Sequence, residues 1–156
     1  MRQGSNLSSF TTSTDQRMPI TTMEQRIDRA KDFFARYSWE VMPEKSFQEL
    51  MADYRAAIES TWRLMSEYGV IACCSACAVR DPAGCCGNGV EEWYDEWLLI
   101  ENLMLGCTID SPRSMREGCL FVGPQGCRLL ARHQFCVNFL CSTIVDSIDP
   151  ARIQHL

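Results

Sequence analysis

Residues 73–89, CCSACAVRDPAGCCGNG, place five cysteines among three glycines and a proline. From Val70 onward this stretch reads as a loop, too irregular to fold on hydrophobic burial alone, so something else must hold it. The chain carries ten cysteines and the first is residue 73. That asymmetry predicts a boundary near residue 70, with a cysteine-rich part following a cysteine-free one.

How the thiols are read depends on where the protein resides. At 156 residues and 46% hydrophobic content, the chain suits one domain with one core, carrying extra helices at one end. Its net charge of −5 comes from 20 acidic against 15 basic side chains. No basic run stands ready to neutralise a phosphate backbone, so nucleic acid is not an expected partner. No apolar stretch reaches the ~18–20 residues that span a bilayer, and Met1 to Ile20 has no apolar signal core. The expectation is therefore no membrane and a cytoplasmic location. Cytosolic thiols are kept reduced, which makes metal or redox chemistry the default for this many cysteines.

Outside the cysteines, helical spacing dominates. Residues 1–20 are too poor in apolar side chains to offset the entropy of ordering and are expected to be a disordered tail. Thr21 with Glu24 forms a capping box for a helix over 22–37, with Ile27, Ala30, Phe33, Phe34 and Tyr37 at helical intervals. Pro43 breaks the pattern. A second helix is expected from Ser46, boxed by Glu49, to Gly69 at a left-handed C′ position. Its stripe of Phe47, Leu50, Met51, Tyr54, Ile58, Met65 and Tyr68 reads as core packing.

A third helix is predicted to open at Asn88 and Glu91 and to stop at Gly106. Its apolar face holds Trp93, Trp97, Leu98, Ile100 and Met104, and its acidic residues Glu92, Asp95, Glu96 and Glu101 form a solvated face. Beyond a polar loop through Pro112, Cys119-Leu-Phe-Val and Cys127-Arg-Leu-Leu flank Gly123-Pro-Gln-Gly126. This reads as a β-hairpin with a cysteine at each strand start. A last helix is predicted from near Cys136 until Pro150 ends it.

The spacing of the cysteines carries the chemistry. Cys74-x2-Cys77 lets two sulfurs reach one ion at Zn–S distances of ~2.3 Å. A second set, Cys119-x7-Cys127-x8-Cys136-x4-Cys141, and the vicinal pair Cys85-Cys86 bring the total to eight thiols without Cys73 or Cys107. Consecutive side chains point apart, so Cys85 and Cys86 suit two ions or a multinuclear cluster better than one ion. Cys136 and Cys141 lie ~140° apart on a regular helix, which places Cys136 at or before the helix N-terminus, where free N–H groups lower a thiol pKa. Arg80, Arg128 and Arg132 lie in sequence among the ligands; they read first as ordinary surface arginines, with offsetting of thiolate charge the other option.

With these residues in view, GCLFVGPQGCRLLARHQFCVNFLC (residues 118–141), preceded by CSAC and CC, resembles the YkgJ-like zinc- or iron-chelating cysteine-cluster family. The resemblance covers about residues 73–141 and rests on cysteine order. It implies metal-ligand roles for Cys74, Cys77, Cys85, Cys86, Cys119, Cys127, Cys136 and Cys141, with no common reaction. The interval Cys77 to Cys85 is longer than the family's compact pattern, which leaves Cys73 and Cys74 as alternatives. His133 stands where the family has proline and reads as a hydrogen-bonded structural histidine, with ligation the other option.

The expected fold is mainly α, about four helices with one short β-hairpin, organised around a cysteine metal centre. The expected division is a tail (1–20), a helical N-terminal segment (21–69) and a cysteine-cluster metal-binding domain (70–150). The expected function is chelation of zinc or an iron–sulfur cluster. The alternative is a thiol–disulfide redox protein using Cys74 and Cys77, although no βαβ unit is visible to carry such a pair. No hydrolytic motif is present, and the histidines are His133 and His155 alone. Cys107, which follows the helix stop Gly106, reads as a small buried hydrophobe.

Overall fold

The computed structural model describes residues 21–80, 84–87, 89–110 and 117–154. The expected tail, Asn88, Pro112 and His155 lie outside them. The described fold is mainly helical with one two-stranded antiparallel sheet. Among the described residues no helix is long and apolar enough to cross a membrane.

Helix α1 spans Met23–Val41. Its capping box is one residue later than expected: Gln25 N–H donates to Thr22 Oγ1 at 3.3 Å and Thr22 N–H donates to Gln25 Oε1 at 3.0 Å. The helix outlasts its apolar pattern and ends two residues before Pro43, whose ring cannot continue the hydrogen-bond ladder. Met23, Ile27 and Ala30 are buried along one face.

Helix α2, Lys45–Glu67, starts without the expected box. Its N-cap is Glu44, with no side-chain cap, and Glu49 instead faces Lys45 at 3.6 Å. It ends as expected before Gly69 at φ +81°, a left-handed conformation that glycine adopts without a Cβ clash. The core reading of its stripe is corrected. Met65 alone among the helix's residues is buried, and Leu50 is 63% exposed. Only the C-terminal end of α2 meets a core, and farther back it is tied by Arg55, which donates to the Leu105 carbonyl.

The larger correction concerns residues 70–80. They form helix α3, Val70–Arg80, set directly after Gly69. The breakers that suggested a loop, Pro82, Gly84, Gly87 and Gly89, all follow Arg80, while Ala72, Ala76 and Ala78 favour a helix. The third helix is also shorter than predicted. Residues Val90–Trp93 make a 3-10 turn, and α4 spans Glu96–Met104 because Asp95 Oδ1 accepts from Leu98 N–H at 2.8 Å. Glu91 is buried and accepts from Gly89 N–H at 3.0 Å. Ile100 is buried as expected, but Trp93 and Trp97 are largely exposed, and Leu99 and Leu105 bury the face in their place.

Strands β1 (Val122–Gly123) and β2 (Gly126–Cys127) pair Val122 with Cys127 and Gly123 with Gly126, leaving Pro124-Gln125 as the turn. Cys119 precedes β1 by three residues and Cys127 closes β2, so the cysteines do not open the strands. The predicted last helix is two pieces, α5 (Gln134–Asn138) and α6 (Ser142–Ser147), and Pro150, expected to end it, instead opens a further short helix, α7 (Pro150–Ile153). Extended backbone at Phe139 and Cys141 separates α5 from α6.

Two cores result. The larger joins Ile27 and Ala30 of α1, Leu99 and Ile100 of α4, and Leu120 to Val122 around Tyr94. The smaller joins Met65, Val70, Ile144 and Ile148 at the meeting of α2, α3 and α6. Side chains of this size stabilise by about 1.5–3 kcal/mol each when fully buried. The Arg26–Glu92 and Arg29–Glu96 pairs at 2.8 and 3.1 Å fasten α1 to the 3-10 turn and to the start of α4. Being partly solvated, each contributes about 1 kcal/mol or less.

Candidate metal centre

The two cores meet along a seam of cysteines. Helix α3 carries Cys73, Cys74 and Cys77, with Cys74 and Cys77 at i,i+3 and therefore on one face. The loop carrying Cys85 and Cys86 is closed by Gly87 N–H donating to the Gly84 carbonyl at 2.8 Å, and Cys119 N–H donates to the Cys86 carbonyl at 2.7 Å. The second bond sets the segment before the hairpin against that loop. Ser75 Oγ donates to the Gln125 carbonyl at 3.0 Å and brings the hairpin turn onto α3. A Cβ on Gly126 would stand 3.4 Å from the same Ser75 oxygen, and φ there is +97°. Glycine thus meets both the turn and the close approach.

These contacts gather the thiols around two adjoining cavities. Cys74, Cys85, Cys86, Cys119, Cys127 and Cys136 border one of about 60 Å³. Cys73, Cys74, Cys77, Cys85, Cys86 and Cys141 border a smaller one of about 10 Å³. All eight residues singled out by sequence border one or both, and Cys107 borders neither. No disulfide joins any of the ten cysteines. Among the described residues, no three His, Cys, Asp or Glu side chains are grouped so as to hold a metal ion as they stand.

Electrostatics tie the thiols together. Burial, then the neighbouring thiolates of Cys85 and Cys141, pushes Cys74 up to about 11. Burial pushes Cys119 up to about 12, with Glu91, Cys127 and Cys136 adding repulsion. Cys86 is raised by a hydrogen bond to Cys85, by burial and by the charges of Cys85, Cys127 and Cys136. Of the eight, Cys77 and Cys141 border only the smaller cavity, Cys119, Cys127 and Cys136 only the larger, and Cys74, Cys85 and Cys86 border both.

Cys136 corrects an expectation. It is the third residue of α5, and burial raises its thiol rather than the helix lowering it. A five-residue helix is too short for a strong terminal field, and half-burial outweighs it. Of the three arginines proposed to offset thiolate charge, Arg132 borders the larger cavity and favours the thiolates of Cys74 and Cys136. Its guanidinium lies 3.6 Å above the Trp62 ring, and its Nε donates to the Leu129 carbonyl at 3.3 Å. Arg80 is exposed and donates to Ala76 on its own helix, whereas Arg128 Nη2 donates to the Leu120 carbonyl. His133 caps α5, its Nδ1 accepting from Phe135 N–H at 3.2 Å.

Sequence reasoning passed over Tyr94, Trp62 and Phe135, which border the larger cavity. None of the three entered an apolar stripe or a cysteine spacing, and no local signal separates a cavity wall from a core. No protein-family model, curated protein or solved structure matches this chain.

Proposed function

We propose that this chain is a metal-binding cysteine-cluster protein that chelates zinc or an iron–sulfur cluster through Cys74, Cys77, Cys85, Cys86, Cys119, Cys127, Cys136 and Cys141. One observation carries the reading: thiols from α3, the 84–87 loop, the hairpin and the segment before it, α5 and the N-cap of α6 border two cavities that share Cys74, Cys85 and Cys86. The donor set fits a soft cation. Thiolates so placed repel one another and lose hydration, which is why the Cys74 and Cys119 thiols give up their protons less readily than an ordinary cysteine, and a bound cation relieves both effects. Loading requires the side chains to close around the ion, so metal binding and ordering of this region are coupled. When bound, the metal supplies structural cross-linking for zinc or electron transfer for an iron–sulfur cluster. The cysteine order of the YkgJ-like family supports the same ligand set, and a cytoplasmic setting would keep the thiols reduced.

The alternative, thiol–disulfide exchange at Cys74 and Cys77, is less well supported. Exchange requires a thiolate, and burial among other thiols holds Cys74 protonated to about 11. Elemental analysis and an absorption spectrum of anaerobically purified protein test the proposal. Stoichiometric zinc with no colour, or iron with sulfide and a brown colour, is expected. Protein with neither metal and with its cysteines in disulfides would overturn it.

A further inference from the structure

We propose that Tyr94 is a positioning residue of this centre, its buried hydroxyl donating a hydrogen bond to the Cys136 thiolate and thereby fixing that ligand and tempering its electron donation. The inference rests on the metal reading above and on one hydrogen-bond geometry. Tyr94 is 1% exposed, so solvent does not serve its hydroxyl. His133 N–H approaches the phenolic oxygen at 3.2 Å. An amide N–H can only donate, so the oxygen is the acceptor in that bond and the phenolic proton must go elsewhere. Cys136 Sγ stands 3.9 Å from the same oxygen, within reach of the longer bonds that sulfur accepts.

The tyrosine is held at its ring, its backbone carbonyl and its hydroxyl, as a positioning group must be. The Phe121 ring meets the Tyr94 ring edge to face at 4.9 Å. Arg26 on α1 donates to the Tyr94 carbonyl at 3.0 Å. His133, the N-cap of α5, fixes the phenolic end and lies three residues before Cys136. The donor therefore belongs to the larger core and reaches the thiol seam from a rigid base. A hydrogen bond to a ligating thiolate draws density from sulfur and tunes the metal, and loss of such outer partners typically costs ~10–100-fold in metal affinity.

The test uses the full chain, purified anaerobically and loaded with cobalt(II) as a spectroscopic probe. In Tyr94→Phe the ring and its packing remain while the donor is lost. The sulfur-to-cobalt charge-transfer band should move to lower energy, and zinc affinity by chelator competition should fall ~10–100-fold. Metal-free far-UV circular dichroism should match that of the wild type. As a second arm, 3-fluorotyrosine at position 94 makes the hydroxyl a stronger donor and should move the band to higher energy, a reversal that a packing role does not produce. If Tyr94→Phe fails to fold, this second arm decides. An unchanged band and affinity in a folded Tyr94→Phe, or no shift with fluorotyrosine, overturns the assignment while the metal reading stands. A wild-type chain that takes up no cobalt, zinc or iron overturns both.

Discussion

The two cores divide the labour of holding the cysteines unequally. The larger, with thirteen buried residues among those described, runs from α1 through α4 to the hairpin, and Cys86, Cys119, Cys127 and Cys136 sit in or against it. The smaller has four buried residues, and Cys73, Cys74 and Cys141 lie against it. Apolar burial of the first kind can order a backbone by itself. Four side chains are poor recompense for ordering α6 and most of α3, which adds only Ala78 to the larger core, since each residue costs about 1–2 kcal/mol of backbone entropy. The comparison teaches that packing pre-positions Cys86, Cys119, Cys127 and Cys136, whereas on the proposed reading Cys74, Cys77, Cys85 and Cys141 would rely on a bound metal for their order.

Metal removal should break the symmetry between the two halves most visibly. After complete chelation, amide exchange in α3 and α6 should accelerate by orders of magnitude, toward unprotected rates. Amides of α1 and α4 should keep most of their protection, because their hydrogen bonds sit over the larger core. Equal loss in both regions would mean that the larger core is no more self-sufficient than the smaller.

Asn102→Ala should show what the larger core requires. Asn102 is fully buried, with Nδ2 donating to the Leu98 and Ala131 carbonyls at 2.8 and 2.7 Å and Oδ1 accepting from Ala131 N–H at 3.0 Å. It pairs with both backbone groups of Ala131 and pins the segment leading to Arg132 and His133 onto α4. Alanine leaves both Ala131 groups buried without that partner, at about 1–3 kcal/mol each. A loss of about 2–5 kcal/mol in denaturant unfolding is expected. A loss below about 1 kcal/mol would show that the segment is held by something else.

Alkaline pH should act on the metal-free chain alone. Burial and neighbouring thiolates raise Cys74 from an ordinary 9.0 to about 11 and Cys119 to about 12. Between 9 and those values the folded chain keeps protons that the unfolded chain has released. This contribution to stability is therefore present below 9 and lost as pH rises through about 11–12. In the loaded protein the ligands are already deprotonated, so the alkaline loss disappears and acid becomes the hazard, as protons compete with metal. Thermal unfolding of both forms across pH 7–11 checks the sign. An apo protein that gains stability above pH 9 would contradict the burial of these thiols.

Much of this architecture was legible in the sequence, for reasons specific to each element. The 123–126 turn was readable because Pro124 and Gly126 have narrow backbone preferences, and Gly69 because a left-handed residue commonly closes a helix. The 70–80 helix was missed because cysteine has no strong preference and the breakers after Arg80 coloured the whole stretch. The α2 stripe looked like core because periodicity reports amphipathicity and says nothing of whether a partner covers the face. Cysteine order drew attention to the residues that border the cavities. Tyr94 could not be found that way, because its position depends on contacts with Arg26, Phe121 and His133 from distant parts of the chain.

The smallest effect should come from the cysteine that belongs to neither half. Cys107 follows Gly106, borders neither cavity, and donates from Sγ to Asn102 Oδ1 at 3.4 Å while its N–H donates to the Asn102 carbonyl at 2.9 Å. In Cys107→Ser the hydroxyl can replace the thiol as donor, so stability should change by no more than about 0.5–1 kcal/mol and metal content should stay at the wild-type value. The same exchange at Cys127 or Cys136 replaces a thiolate by a neutral hydroxyl that ligates zinc or iron poorly, and metal content should fall sharply. All three variants lose the same sulfur atom, so the comparison separates ligation from generic loss of a small side chain. If Cys107→Ser strips the metal while Cys136→Ser retains it, the proposed ligand set fails, because Cys107 borders neither cavity and is bonded to Asn102.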